Sequence, residues 1–88
     1  MATYITAIHM VGGEKHEHIS SVRWRSDTGS TGESTREQMV KWINDGGKAY
    51  VSDGRNTVQV LVVNATPPYL RTFADGKWTD NLLALPRY

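Results

Sequence analysis

The three histidines of the chain lie close together in sequence, where imidazoles could combine into a metal site. In a hairpin of the first two strands, His9 and His18 would face each other, while His16 and His18 would share a strand face. Three imidazoles can hold zinc and leave one coordination position open for chemistry. However, His16 follows a glycine-rich, charged loop, where a solvated side chain is the simpler interpretation. We therefore expect no metal and no other cofactor.

Serine is the second candidate, as a catalytic nucleophile, because the chain contains no cysteine. No serine occurs in the Gly-x-Ser-x-Gly pattern that exposes a nucleophile on a strand-to-helix turn. Ser34 has a structural explanation as a helix cap. Hydrolysis also needs a base with an orienting partner, which the spacing does not supply. We therefore expect the protein not to be an enzyme.

Arginines next to aromatic residues offer a third kind of site, one for nucleic acid. Arg23, Arg25 and Arg71 could form a basic strip for a phosphate backbone. The net charge of the whole chain is only +1, with ten Lys plus Arg against nine Asp plus Glu. Nucleic-acid-binding domains usually carry a clearly basic face. Binding of nucleic acid as an accessory protein is therefore an alternative rather than the main hypothesis.

The segment 69–86 combines apolar anchors, a turn and several charges in a short space. Turn chemistry explains Asp75-Gly76, and a short helical turn over 81–84 with Asp80 as its cap explains the leucines that follow. Those leucines are expected to fill the open end of the core. Trp and Arg contribute much of the energy of protein interfaces. We therefore predict a partner-binding surface made of five residues: Arg71, Lys77, Trp78, Asp80 and Asn81.

Length and composition predict one small domain, residues 1–88. A hydrophobic content of 39% supports a core. The sequence near Met1 has no basic region followed by an apolar run, and no apolar run approaches the ~20 residues of a membrane span. We expect a cytoplasmic protein with no membrane contact.

A single amphipathic helix is predicted from about Thr35 to Asn44. Ser34 and Glu37 have the capping-box spacing at its start. At ~100° per residue, four apolar side chains fall on one arc: Met39, Val40, Trp42 and Ile43. This stripe needs one face of a sheet to cover.

Strands are predicted before and after this helix in the sequence. A bulge near Ser20-Ser21 in the second strand would bring its apolar residues onto one face. Trp24, in that strand, is expected in the core. Asp53-Gly54-Arg55-Asn56 predicts a hairpin turn, and the polar stretch 26–33 predicts a mobile loop. The expected strands are 3–10, 18–25, 48–52, 57–64 and 69–73. The fold class is thus α+β, with a small antiparallel sheet of about five strands and one amphipathic helix packed on one face.

The closing block resembles that of a known family. The residues concerned are Leu70-Arg71-Thr72-Phe73-Ala74-Asp75-Gly76 and Thr79-Asp80-Asn81-Leu82-Leu83-Ala84-Leu85-Pro86. They are similar to the end of a small bacterial and phage family that is catalogued only as a domain of unknown function. Shorter similarities, such as Gly47-Lys48-Ala49-Tyr50-Val51, extend over nearly the whole chain. The resemblance implies one domain type, no known activity and no site residues.

The residues therefore favour a non-enzymatic binding module that contacts a protein partner or a second copy of itself. Because such small domains also occur in phage genomes, one version is a phage-type inhibitor of a host defence complex. Nucleic-acid binding through the arginines is the alternative from a different functional class.

Overall fold

The computed structural model describes residues 2–52 and 56–88 of the chain. They form one seven-stranded sheet in the order β3-β2-β1-β4-β5-β6-β7, with one α-helix. The strands are β1 Ala2–Met10, β2 Ile19–Ser26, β3 Thr31–Thr35, β4 Lys48–Ser52, β5 Thr57–Val63, β6 Tyr69–Ala74 and β7 Lys77–Thr79. The helix α1 is Arg36–Asn44, and two 3₁₀ helices are His16–His18 and Asn81–Ala84. The predicted turn at Asp53-Gly54 falls outside the described residues.

The prediction of about five antiparallel strands is wrong in number and in direction. The polar stretch expected to be a mobile loop includes the first three residues of β3, which pairs antiparallel with β2, and the closing hairpin adds β7. In addition, β1 and β4 pair in parallel, although only Ala2, Thr3 and Tyr4 of β1 take part. The sheet is therefore mixed, and the helix packs on one of its faces through Met39 and Val40.

Beyond Tyr4, β1 pairs with the last residues of the chain instead of with β4. The amide of Ile8 donates to the Pro86 carbonyl at 2.9 Å, and the amide of Tyr88 donates to the Ile8 carbonyl at 3.1 Å. This parallel bridge satisfies backbone groups that would otherwise be unpaired in the interior. It also brings the segment after β7 across the sheet, so that Leu82 is fully buried in the core.

The predicted bulge in β2 is confirmed. His9 and Met10 are opposite Ser21 and Ile19, so Ser20 is the extra residue. A second bulge, at Thr6 of β1, was not predicted. Because bulges bend the strand that carries them and increase its twist, they help this long hairpin to curve.

The helix starts one residue later than predicted, because β3 continues to Thr35. Thr35 is the cap: its hydroxyl accepts from the Gln38 amide at 3.2 Å, and its own amide donates to Gln38 Oε1 at 2.9 Å. Ser34 instead accepts a hydrogen bond from the Trp24 indole at 3.0 Å. Trp24 was predicted to lie in the core; it is half-buried and packs against it. Of the predicted apolar stripe, Trp42 lies at the margin and is 37% exposed.

Two glycines make room for two indoles. An added Cβ at Gly32 would overlap the ring of Trp24, and one at Gly47 would overlap the ring of Trp42. Glycine is therefore required at both positions for close packing rather than for an unusual backbone angle.

No helix among residues 2–52 and 56–88 is long and apolar enough to cross a membrane.

We predict that Gly32→Ala destabilises the protein by about 1–3 kcal/mol, the usual range for forcing extra atoms into a packed site. Urea denaturation would measure the change in the free energy of unfolding. In a Trp24→Ala background the same substitution should cost much less, because the overlapping ring is gone. Equal costs in both backgrounds would contradict the contact.

Candidate functional site

A tight turn fixes the closing hairpin. Asp75 has φ +53° and Gly76 has φ +78°, and Ala74 is directly opposite Lys77. Two central residues with positive φ match the hairpin turn whose twist agrees with that of the flanking strands. The register is therefore set at Asp75-Gly76, which places Trp78 opposite Phe73.

Trp78 is held in place although it is exposed. Its side chain is among the exposed large hydrophobic ones, with 41% of its surface accessible. The Phe73 ring meets the indole nearly edge-on, with centroids 5.2 Å apart and an interplanar angle of 77°. Such pairs contribute about 0.5–1.5 kcal/mol beyond area burial. The contact therefore restrains an indole that still presents much of its surface to solvent.

Two threonines attach the short strand β7 to the sheet. The Thr72 hydroxyl donates to the Thr79 carbonyl at 3.0 Å, and the Thr79 hydroxyl donates to the Thr72 hydroxyl at 2.7 Å. Thr72 is completely buried. Because each hydroxyl has a partner, the burial of Thr72 leaves no hydroxyl unpaired.

Arg71 and Asp80 form an ion pair on the same hairpin. Arg71 Nη2 donates to Asp80 Oδ1 at 3.0 Å, and Arg71 Nε donates to the Thr79 carbonyl at 3.2 Å. The side chains are 32% and 73% exposed, so the pair contributes little to stability and mainly orients its members. The predicted cap is wrong in its detail: Asp80 precedes the 3₁₀ helix Asn81–Ala84, but its carboxylate makes no capping bond there.

The five predicted site residues are only partly brought together. Arg71 and Trp78 lie on one face of the hairpin, because Arg71 and Phe73 are two residues apart in β6 and so share a strand face, and Trp78 is opposite Phe73. Asp80 joins them through Arg71. Lys77 is exposed, but it lies one residue from Trp78 and so on the opposite strand face. Asn81 is half-buried at the start of the 3₁₀ helix.

His16 belongs to this neighbourhood, and the sequence prediction missed it. It was expected to be solvated, but the 3₁₀ helix that carries it packs against β6 and leaves the residue only 9% exposed. Its Nε2 is 3.7 Å from Asp80 Oδ1, and it has no hydrogen-bond partner among the described residues. Burial and the nearby Arg71 lower the pKa of His16, while Asp80 and Glu17 act in the opposite direction.

The other histidines have separate surroundings. The ring of His9 contacts the ring of Tyr88, with centroids 5.5 Å apart. The ring of His18 accepts a hydrogen bond from the Lys15 amide at 3.2 Å. Within residues 2–52 and 56–88, no three side chains of His, Cys, Asp or Glu form a group that could hold a metal ion.

The structure also separates the arginines of the nucleic-acid alternative. Arg23 and Arg25 are exposed on β2, while Arg71 is on β6, with β1, β4 and β5 between these strands. Arg23 lies over the Tyr88 ring, 4.1 Å from its centroid. The strip that was expected from all three is therefore not continuous across the sheet.

The lowered pKa of His16 predicts a pH-dependent stability. The unfolded chain binds a proton more readily than the folded one, so acidification favours unfolding. We expect the free energy of unfolding to fall as the pH drops below about 6.5, the ordinary value for histidine. Urea denaturation at a series of pH values would measure it. His16→Gln should reduce the slope in this range, and an unchanged slope would assign the effect to other groups.

The chain resembles one known family. The family described as a protein of unknown function, DUF3892, matches residues 4–86, which takes in the helix and all strands except the first two residues of β1. No curated protein matches the chain, and no solved structure does. The expectation of a family without assigned activity is confirmed, while its bacterial and phage origin stays a prediction. The chain therefore belongs to the DUF3892 family of proteins of unknown function.

Proposed function

We propose that the protein is a non-enzymatic module that binds another protein through its closing hairpin, with Trp78 as the central anchor. The observation that carries the proposal is that this indole is 41% exposed while Phe73 and a tight turn hold it in one position. An exposed side chain that is already ordered loses little conformational freedom on binding. That combination favours a contact residue over a core residue.

Polar groups next to Trp78 suit the border of a protein interface. Arg71 and Asp80 form a pair that is partly accessible, whereas Lys77 is exposed on the opposite face of β7. Rim charges of this kind contribute more to specificity and association rate than to affinity. We therefore assign most of the binding energy to Trp78 and most of the selectivity to Arg71 and Asp80, with Lys77 outside this contact face.

The nucleic-acid alternative has less support. Arg71 is engaged with Asp80, and Arg23 lies over Tyr88, so two of the three arginines already have contacts within the chain. A phosphate-binding face needs several cations at accessible, neighbouring positions. The idea that the partner is a host defence complex stays a prediction from the sequence.

We expect Trp78→Ala to weaken binding to the cognate partner by roughly 2 kcal/mol or more, about thirtyfold in Kd, because an anchor at an interface contributes on that scale. The partner would be identified by affinity capture from cells that carry the gene, and the Kd measured by calorimetry. The melting temperature should change little, since the side chain lies outside the core.

Val11→Ala is the matched control, because Val11 is 58% exposed and belongs to neither strand of the closing hairpin. It should leave the Kd unchanged. If Trp78→Ala unfolds the protein, or if both variants bind with the parental Kd, the closing hairpin is not the contact surface.

A further inference from the structure

One row of side chains crosses the sheet from β7 to β2 on the face opposite the helix. Each member is directly opposite the next in the strand register, and we call the set the outer row: Trp78, Phe73, Gln59, Tyr50, Tyr4 and Arg25. The residues that adjoin three of its members, Thr72, Val60 and Ala49, are buried in the core. Because successive side chains of a strand point to opposite faces, the outer row lies on the other side of the sheet from the core.

The aromatic rings of the outer row are accessible and stand at angles to one another. Every member of the row is exposed or half-buried. The rings of Tyr4 and Tyr50 have centroids 6.0 Å apart and planes tilted by 39°, and the planes of Phe73 and Trp78 are 77° apart. Nucleic-acid bases stack on ring faces, so such tilted pairs make no even platform for successive bases. They form notches instead, which suit a compact apolar ring such as that of proline.

The spacing of the two ring pairs matches the repeat of a polyproline II helix. Gln59 separates the pair on β6 and β7 from the pair on β4 and β1. The inner rings, Phe73 and Tyr50, lie on strands that are two positions apart in the sheet, or about 10 Å. A polyproline II helix advances about 9 Å in one turn of three residues. Prolines three residues apart can therefore meet both pairs when a peptide lies across the strands.

The hydrogen-bonding groups of the outer row also fit a proline-rich backbone. A polyproline II helix makes no internal hydrogen bonds, and proline lacks an amide hydrogen, so the carbonyl oxygens need donors. The row supplies donors from the Trp78 indole, the Gln59 amide, the Arg25 guanidinium and two phenol hydroxyls. None of its six members is a carboxylate. The row is therefore complementary to a ligand that is rich in acceptors and poor in donors.

We propose that the outer row binds a proline-rich segment in the polyproline II conformation, an inference that rests on the protein-binding function proposed above, because Trp78 belongs to both surfaces. The partner is thereby a protein that carries two prolines three residues apart. One proline packs beside Phe73, the other packs beside Tyr50, and Gln59 donates to a carbonyl between them. Such a segment loses little entropy on binding, because its conformation is already formed.

Two other occupants fit the outer row less well. Arg25 is the one cation among its six members, whereas single-stranded nucleic acid needs a positively charged groove along its phosphates. A second copy of the chain does not supply the segment either. Its prolines are Pro67, Pro68 and Pro86, and no two of them are three residues apart.

Fluorescence anisotropy with labelled decaproline would test the inference on the full chain. As a polyproline II helix this peptide is about 31 Å long, enough to cover a row of about 24 Å. We expect saturable binding of decaproline and no binding of a glycine-serine peptide of the same length. Absent binding of decaproline, equal binding of both peptides, or tighter binding of oligothymidylate would overturn the proposal.

Gln59→Glu and Gln38→Glu form a matched pair of variants. Both replace an exposed amide by a carboxylate, but Gln38 is on the helix, where glutamate preserves the capping box with Thr35. Gln59→Glu should weaken decaproline binding by about tenfold or more, because the carboxylate repels the peptide carbonyls and removes a donor. Gln38→Glu should leave binding unchanged, and both variants should keep the parental melting temperature. Equal effects of the two variants would contradict the outer row as the site.

Two tyrosines of the same face provide a second comparison. Tyr69 is half-buried like Tyr50 and shares its strand face with Phe73, but it is four residues from Phe73 along β6 and outside the row. Tyr50→Ala should weaken decaproline binding, whereas Tyr69→Ala should retain it. If decaproline does not bind while Trp78→Ala still weakens binding to the captured partner, the protein-binding function stands and the proline-rich ligand is wrong.

Discussion

The fold depends on a sheet that must curve around one short helix. Helix α1 contacts β2 and β3 as well as β5 and β6, although β1 and β4 lie between these pairs of strands. Flat strands from β3 to β6 would span about 24 Å, whereas the helix is about 14 Å long. Bulges at Thr6 and Ser20 provide curvature. The short pairing of β1 with β4 leaves a gap, which the chain end closes by burying Leu82 and pairing with Ile8.

This curvature gives the two sheet edges different properties. At one edge, pairing with β6 and the Thr72–Thr79 hydrogen bonds hold β7, and the hairpin there presents the exposed indole of Trp78. At the other edge, β3 contains only polar residues and glycine, and the amide of its last residue, Thr35, is bonded to Gln38. Natural sheets limit unwanted pairing with short edge strands and with charged side chains, and β7 and Glu33 illustrate these two means. The two edges thus differ in chemistry: one carries an exposed indole and the other is a short polar strand.

Patterns in the sequence predicted the structural features that depend on interactions between neighbouring residues. The helix, the bulge at Ser20 and the exposure of Trp78 follow from spacing and turn chemistry. β3 escaped prediction because an edge strand needs no apolar face, and Thr31–Thr35 contains only polar residues and glycine. The parallel contact of β1 with β4 joins segments far apart in sequence, which no local pattern encodes. The burial of His16 likewise depends on β6, a contact between distant parts of the chain.

The proposed contact surface depends on an indole at position 78 that is both open to solvent and held by the sheet. Fluorine NMR of protein labelled with 5-fluorotryptophan would report on both properties, and Trp78→Phe would assign its resonance among the three tryptophans. We predict a large H₂O/D₂O isotope shift for Trp78 together with relaxation that matches the tumbling of the whole protein. A negligible isotope shift, or the narrow line of a freely rotating side chain, would contradict the account.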